Sequence, residues 1–253
     1  MTGKRHLLMR LEAPLMAFGT TLIDSLGPVQ DFPATSLITG LIANALGWNR
    51  NEATKLQALQ DRLVHAVRLD LEGERLRDYQ TADLDSKDAG WTRSGKPEGR
   101  AGGAGTYKGQ HQRQRWYQAD ASALVAFRLE PAEEEPSLDA VAEALNFPAR
   151  PLFIGRKPCL PSTPLFAGWV EADDASQAIA FASPDEAAID ARTPDLAARV
   201  FWPQGEGPVT RDRRQMANCR NWRVDVHAGF DVWYGGTGYD LQGEPPALSV
   251  HPS

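Results

Sequence analysis

Two apolar, strand-like segments, LVHAVRLDL at 63–71 and SALVAFRLE at 122–130, enclose a polar excursion with alternating arginines at both ends, RLRDYQT at 75–81 and QRQRWYQAD at 112–120. Any fold for this chain must pair the two strands and let the excursion leave the body from between them. A long β-hairpin meets both demands, because a strand pair that runs on past the core satisfies its own backbone hydrogen bonds. Between Lys87 and Arg115 the basic residues are Lys87, Arg93, Lys96, Arg100, Lys108, Arg113 and Arg115, opposed only by Asp88 and Glu98. The chain as a whole has a formal net charge of −6, so positive charge is gathered into one protruding segment. Rings at Tyr79, Trp91, Tyr107, His111, Trp116 and Tyr117 accompany it. Local cations with stackable rings suit a polyanion that exposes its bases, while the acidic remainder argues against indiscriminate coating of nucleic acid.

The flanks predict a hairpin with one basic face. Arg75, Arg77 and Tyr79 alternate on the outgoing strand and Arg113 and Arg115 on the returning one, with Lys108 and His111 nearer the turn. Such a face can lie along an RNA backbone while Tyr79 or Trp116 stacks on or wedges between bases. The tip, GRAGGAGTYKG at 99–109, has the composition of a solvated, flexible segment.

Around the excursion the chain alternates strands and helices. HLLMRLEAPLMAFG reads as a buried first strand ending in a turn at Ala13-Pro14. SLITGLIANALGW follows Pro33 and Ser36 with Leu37, Leu41, Ile42, Ala45 and Leu46 at helical spacing, and Gly47 stops it. After the two central strands, Ser137 is placed to cap SLDAVAEALNF, whose Leu138, Val141, Ala142 and Leu145 share one face. LFAGWVEA closes an order of β-α-β-β-α-β, which predicts an α+β, ferredoxin-like domain over 1–173 with a hairpin inserted at about 75–120. Residues 174–253 read as a small β/loop extension on the same domain. It has an Ala-rich acidic segment to Ala198, a hairpin turning at Gly205 to Pro208, and a Gly- and Pro-rich tail over the last twenty residues.

Other polar constellations admit two readings each. Gly155-Arg156-Lys157 is either a phosphate-approaching glycine loop or an ordinary turn with solvated cations. Ser36 and Gly40 lie where a helix N-terminus would face a phosphate, yet they serve equally as cap and packing devices. Arg211, Arg213, Arg214, Arg220 and Arg223 form a C-terminal basic set, of which Arg214 and Arg220 are the stronger candidates for phosphate contact. Cys159 and Cys219 have no ligand spacing, and none of the five histidines has metal spacing or a neighbouring nucleophile, so no metal, cofactor or disulfide is expected. His111, near Tyr107 and Lys108, has the chemistry of metal-independent RNA cleavage. With no apolar run approaching twenty residues and no leader, a cytoplasmic protein is expected.

Taken in order, LEAPLMAFG at 11–19, FPATSLITGLIANALG at 32–47, RDYQT at 77–81, Asp120-Ala121, Gly155 to Cys159 through Phe166, and Arg214-Gln215-Met216 through Trp222 resemble one family. It is the CasD family of the RAMP superfamily, subunits of the type I-E CRISPR surveillance complex (Cascade) that hold the 5′ handle of the guide RNA. The resemblance covers about residues 6–225. It implies that the excursion is a thumb docking a neighbouring backbone subunit, that 155–159 is the glycine-rich loop, and that the subunit is non-catalytic. Its partners would be crRNA, the Cascade backbone and large subunits, and target DNA only through the complex. Carried over by position, RNA contacts fall on Ser36, Gly40, Arg77, Tyr79, Arg156, Lys157, Arg214 and Arg220. The chain departs from the family pattern at Met16, where Gln is usual, at Thr35, where a basic residue is usual, and at Gln80, where His often follows the thumb Tyr. The first reading besides this is an endoribonuclease acting on CRISPR repeat RNA, and a second is a small-molecule enzyme on a ferredoxin-like scaffold, for which no acid pair or phosphate loop speaks.

Overall fold

Near-continuous burial along residues 63–69 and 123–129, on both faces of the strands, builds the centre of a sheet. The computed structural model describes residues 3–21, 25–83, 90–91, 97–98, 110–182 and 198–237. In chain order its elements are β1 (Lys4–Met16), β2 (Leu26–Gly27), α1 (Thr35–Ala45), α2 (Ala53–Arg62), β3 (Leu63–Leu71), β4 (Glu74–Asp83), β5 (Gly90–Trp91), β6 (Pro97–Glu98) and β7 (Gln110–Leu129). They continue as α3 (Leu138–Asn146), β8 (Phe166–Ala172), α4 (Ala175–Phe181), β9 (Arg199–Pro203), β10 (Asp212–Met216), β11 (Cys219–Asn221), β12 (Val226–Ala228) and β13 (Asp231–Thr237). The main sheet runs β10-β13-β9-β3-β7-β1-β8, mostly antiparallel, with β4 and the short parallel β2 also on β7.

The sheet is covered on both sides. Odd-numbered residues of β7 such as Ala123, Val125 and Phe127 join Leu7, Met9 and Leu11 under Ile38, Ile42 and Val141 of the helices α1 and α3. The opposite face, with Leu124 and Ala126, meets Ala175, Ala178 and Ile179 of α4. Burial at this scale, at roughly 25 cal/mol per Å² of apolar surface, is what offsets the ordering of the chain. The buried Arg128 on this face is paired: it grips Glu206 with two bonds of 2.7 and 2.8 Å, and Glu206 also accepts from the Ala175 amide that opens α4.

β7 is the spine of the molecule. One half pairs with β1 and β3, and the other, from Gln110 to Ala119, pairs with β4. The change of partner occurs where both strands leave regular geometry. Gly73 has φ +67° and a Cβ there would lie 2.2 Å from Ala119 O, while Asp120 across from it has φ 53°. Only glycine fits the first position, and the paired irregularity falls where β7 exchanges β3 for β4.

Several expectations change. Pro14 does not end the first strand: β1 runs to Met16, because β8 pairs only with Lys4 to Met9 and leaves Pro14 on a free edge, where its missing N–H costs nothing. Residues 199–216 do not form a hairpin, since β13 lies between β9 and β10. Residues 234–237 of the expected tail thereby belong to an interior strand, whose Trp233 and Tyr234 are buried. Helix α1 starts at Thr35, and its cap comes from far away: Asn218 accepts the Thr35 amide through Oδ1 (2.7 Å) and the Ser36 amide through its backbone oxygen (3.0 Å). Ser137 caps α3 as expected, accepting from Ala140 N at 3.2 Å.

Candidate nucleic-acid interface

The register of β4 against β7 decides which side chains share a face. Arg77 lies opposite Trp116 and Tyr79 opposite Gln114, whereas Arg115 lies opposite Asp78 and Arg113 opposite Gln80. Directly paired residues point the same way and neighbours point oppositely. The single basic face expected from the sequence is therefore two faces: Arg75, Arg77 and Tyr79 on one, Arg113 and Arg115 on the other. Alternation within each strand was legible, but the phase between strands is set by the turn region and by Gly73 and Asp120. Arg77, Tyr79 and Arg113 are exposed, and Arg115 is half-buried. Lys108 and the side chain of His111 lie outside the described residues.

At the base of this hairpin the 155–159 loop is bolted in. Arg156 donates from Nη1 to Trp116 O (2.8 Å) and from Nη2 to Gly27 O (2.9 Å), and its guanidinium stands 4.8 Å from the centre of the Tyr117 ring. One side chain thus joins the loop, β2 and β7. Gly155 has φ +89°, and a Cβ there would fall 1.9 Å from Ala17 O, so the glycine permits close packing against the end of β1. Lys157 is exposed beside it.

Arg214 stands on the far side of the hairpin base. Its Nη1 donates to Asp31 Oδ2 (2.9 Å) and its Nε to Asp212 Oδ1 (2.9 Å), and Asp31 also pairs with Arg75. These carboxylates raise the Arg214 pKa further above its ordinary value. Arg220 pairs with Asp225 at 2.6 Å and its guanidinium lies 5.7 Å from the Trp222 ring centre. Trp222 in turn lies over Gly40, 3.6 Å from where a Cβ would stand. Ser36 and Gly40 sit under this β11–β12 ribbon, which Gln60 ties down by donating to Arg220 O (2.9 Å) and accepting from Trp222 Nε1 (3.0 Å). Asp31 and Gln60 went unnoticed in the sequence; Asp31 meets partners 44 and 183 residues away, and no local spacing marks such a residue.

Among the described residues, burial shifts two histidines and one cysteine far from their ordinary range. Burial lowers His65 to about 4, and burial together with nearby Arg128 lowers His6 to about 4. Burial, reinforced by Asp231, pushes the Cys219 thiol up to about 12. Both cysteines are free. Among the described residues no group of three or more His, Cys, Asp or Glu is arranged to hold a metal, and no helix is long and apolar enough to cross a membrane.

Comparison with known proteins places this geometry. The chain is 28% identical over 242 residues to the CRISPR system Cascade subunit CasD of Escherichia coli (strain K12), covering 90% of this chain and 99% of that protein. Its fold matches a chain of a CRISPR RNA-guided surveillance complex, with a TM-score of 0.65, 20% identity, and 92% and 89% of the two chains covered. It also matches a Cas protein crystal structure, with a TM-score of 0.55, 23% identity, and 95% and 100% covered. The family model of the CRISPR-associated protein Cas5 matches residues 6–230. With that match running from the first strand to the entry of β13, the chain belongs to the CRISPR-associated Cas5 family, within which it is CasD-like.

Proposed function

We propose that the chain is a non-catalytic RNA-binding subunit of a type I-E CRISPR surveillance complex, capping the 5′ handle of the crRNA and docking neighbouring subunits with the β4–β7 hairpin. The observation that carries this function is the hairpin itself, whose two faces both bear arginine and one of which exposes Tyr79, about half accessible. A two-faced blade can meet RNA on one side and a protein neighbour or a second stretch of RNA on the other. Residues 1–173 then form a ferredoxin-like domain: the order β3-β7-β1-β8 with α1 and α3 in the connections supports it. Strands β9, β13 and β10 extend the same sheet from β3.

Within this assignment Arg77, Tyr79, Lys108, His111, Arg113, Arg115 and Lys157 contact RNA directly. Arg156 acts from behind, holding the loop and the hairpin base in register, while Gly155 allows their close approach. Arg214 joins the contact set from β10, and Arg220, Ser36 and Gly40 flank it at the β11–β12 ribbon. Backbone contacts of this kind position the RNA, and stacking on Tyr79 supplies discrimination between stacked and splayed bases.

The test is co-expression with the other subunits and guide RNA, comparing wild type with the Arg77→Ala/Tyr79→Ala double variant. A loss of crRNA from the purified assembly, with the subunit still folded, is the expected outcome. Retention of crRNA by the double variant refutes the assignment of the hairpin. Cleavage of repeat RNA by the isolated chain in EDTA, abolished by His111→Ala, would establish an endoribonuclease instead.

A further inference from the structure

Arg75 of β4 and Arg214 of β10 converge on one carboxylate. Arg75 Nη2 donates to Asp31 Oδ1, and Arg214 Nη1 donates to Asp31 Oδ2 at 2.9 Å. The other edge of Arg214 is held by Asp212, Nε to Oδ1 at 2.9 Å and Nη2 to Oδ2 at 3.1 Å, and the guanidinium lies 5.0 Å from the Phe201 ring centre. Arg214 is therefore fixed whether or not Asp31 stays. Two guanidinium groups aiming N–H bonds at two oxygens of a single anion is also how arginines grip a phosphate.

The carboxylate is not what anchors its own segment. Gln30, next to it, donates from Nε2 to Gly19 O and Ala217 O (2.9 Å each), its amide donates to Phe18 O (2.7 Å), and its carbonyl accepts from Gln118 Nε2 (3.2 Å). Phe32, on the other side, is buried and stacked on Phe201 at 4.3 Å. Asp31 adds a charge to a segment already held at both ends. Its side chain is 42% exposed, and those of Arg75 and Arg214 are 51% and 31% exposed. Ion pairs this open to water contribute little net stability and are readily exchanged.

We propose that Arg75 and Arg214 form a phosphate seat where the hairpin base meets the C-terminal strands, that Asp31 occupies it in the free protein, and that a backbone phosphate of bound RNA takes its place. The proposal rests on the RNA-binding function above and adds a site to it. Arg75 shares a face with Arg77 and Tyr79, so an RNA strand stacked on Tyr79 and following that face towards the core arrives at this seat. Asp31 then stands in for the phosphate, keeps the two cations from collecting stray anions, and must be displaced by RNA.

The full chain and a short fluorescent single-stranded RNA test this by anisotropy across a salt series, beside thermal melting. Removing the competing charge with Asp31→Asn is expected to tighten binding about fivefold at low salt and to steepen the salt dependence by about one phosphate contact. The melting temperature should stay near that of wild type. Arg75→Ala introduced into Asp31→Asn should abolish the gain, and Arg75→Ala alone should weaken binding. If wild type binds RNA but Asp31→Asn binds equally or more weakly, the seat is refuted and the RNA-binding function stands. A gain that persists without Arg75 likewise refutes it. If neither wild type nor Asp31→Asn binds RNA, the functional assignment fails, and the seat with it. Lower stability in Arg75→Ala with unchanged affinity would make the cluster a structural clasp only.

Discussion

Arg156→Ala separates a bolt from a ligand. In the folded chain Arg156 donates to Trp116 O at 2.8 Å and Gly27 O at 2.9 Å and stacks over Tyr117. A hydrogen bond from a charged donor is worth about 1.5–3 kcal/mol, and a cation–π contact adds about 0.5–1 kcal/mol. Arg156 is half-buried rather than buried, so the lower ends apply, and loss of the two hydrogen bonds alone should cost about 3 kcal/mol. For a chain of this size each kcal/mol moves the melting temperature by about 2–4 °C, which predicts a fall of about 6–12 °C. Hydrogen exchange should localise the damage, with faster exchange at the Gln114 amide that pairs with Ser25 O and at its neighbours in β7. Arg156→Lys should recover little of the stability, because an ammonium cannot span two carbonyls in the manner of a planar fork. Unchanged melting, together with weaker RNA binding that lysine restores, would refute the positioning role and make Arg156 a phosphate ligand.

Gly155→Ala should be among the most destabilising single changes in the chain, since both its φ of +89° and the 1.9 Å approach to Ala17 O forbid a Cβ; a melting temperature within 2 °C of wild type would contradict the loop geometry. Tyr79→Ala should leave melting unaltered and cost about 1–3 kcal/mol of RNA affinity if one base stacks there, and equal affinity would remove Tyr79 from the interface. Acid should unfold the protein early. His6 and His65 are held near 4 in the fold against about 6.5 unfolded, so between those values the unfolded chain binds more protons and stability falls as pH falls. Each histidine contributes a slope approaching 1.4 kcal/mol per pH unit. Urea titrations of His65→Gln across that window should show a slope shallower by about one proton, and an identical slope would mean that His65 titrates normally. Glu130, held at about 2 by Arg128 and Lys4, contributes stability that is full above its unfolded value and is lost as pH drops towards 2. Glu130→Gln should therefore lower stability at neutral pH and flatten this last acid transition.

Local chemistry wrote the elements but not their neighbours. The apolar spacing of Leu37, Leu41 and Ile42 and the stop at Gly47 were sufficient to read α1, because helix periodicity and left-handed termination are properties of a few consecutive residues. The cap of that helix was not readable, since it comes from Asn218. Strand β13 was hidden for a related reason: VWYGG is short and glycine-rich, and only its fit between β9 and β10, with Trp233 against Phe32 and His65, makes it a strand. Arg77, Tyr79 and Arg113 were correctly exposed because alternating polar residues beyond a core have nowhere else to go.

The sequence by itself determined that two central strands run on into a cationic, aromatic hairpin, that helices cover the sheet, and that the chain resembles RNA-guided CRISPR subunits. These follow from periodicity, turn residues and ordered short motifs, all of which act over a few residues at a time. Tertiary structure alone decided which arginines face outwards together, which ones are spent holding the scaffold, and that Asp31 sits between Arg75 and Arg214. Those outcomes depend on strand register and on contacts between residues far apart in the chain, where a one-residue shift in pairing moves a side chain to the opposite face.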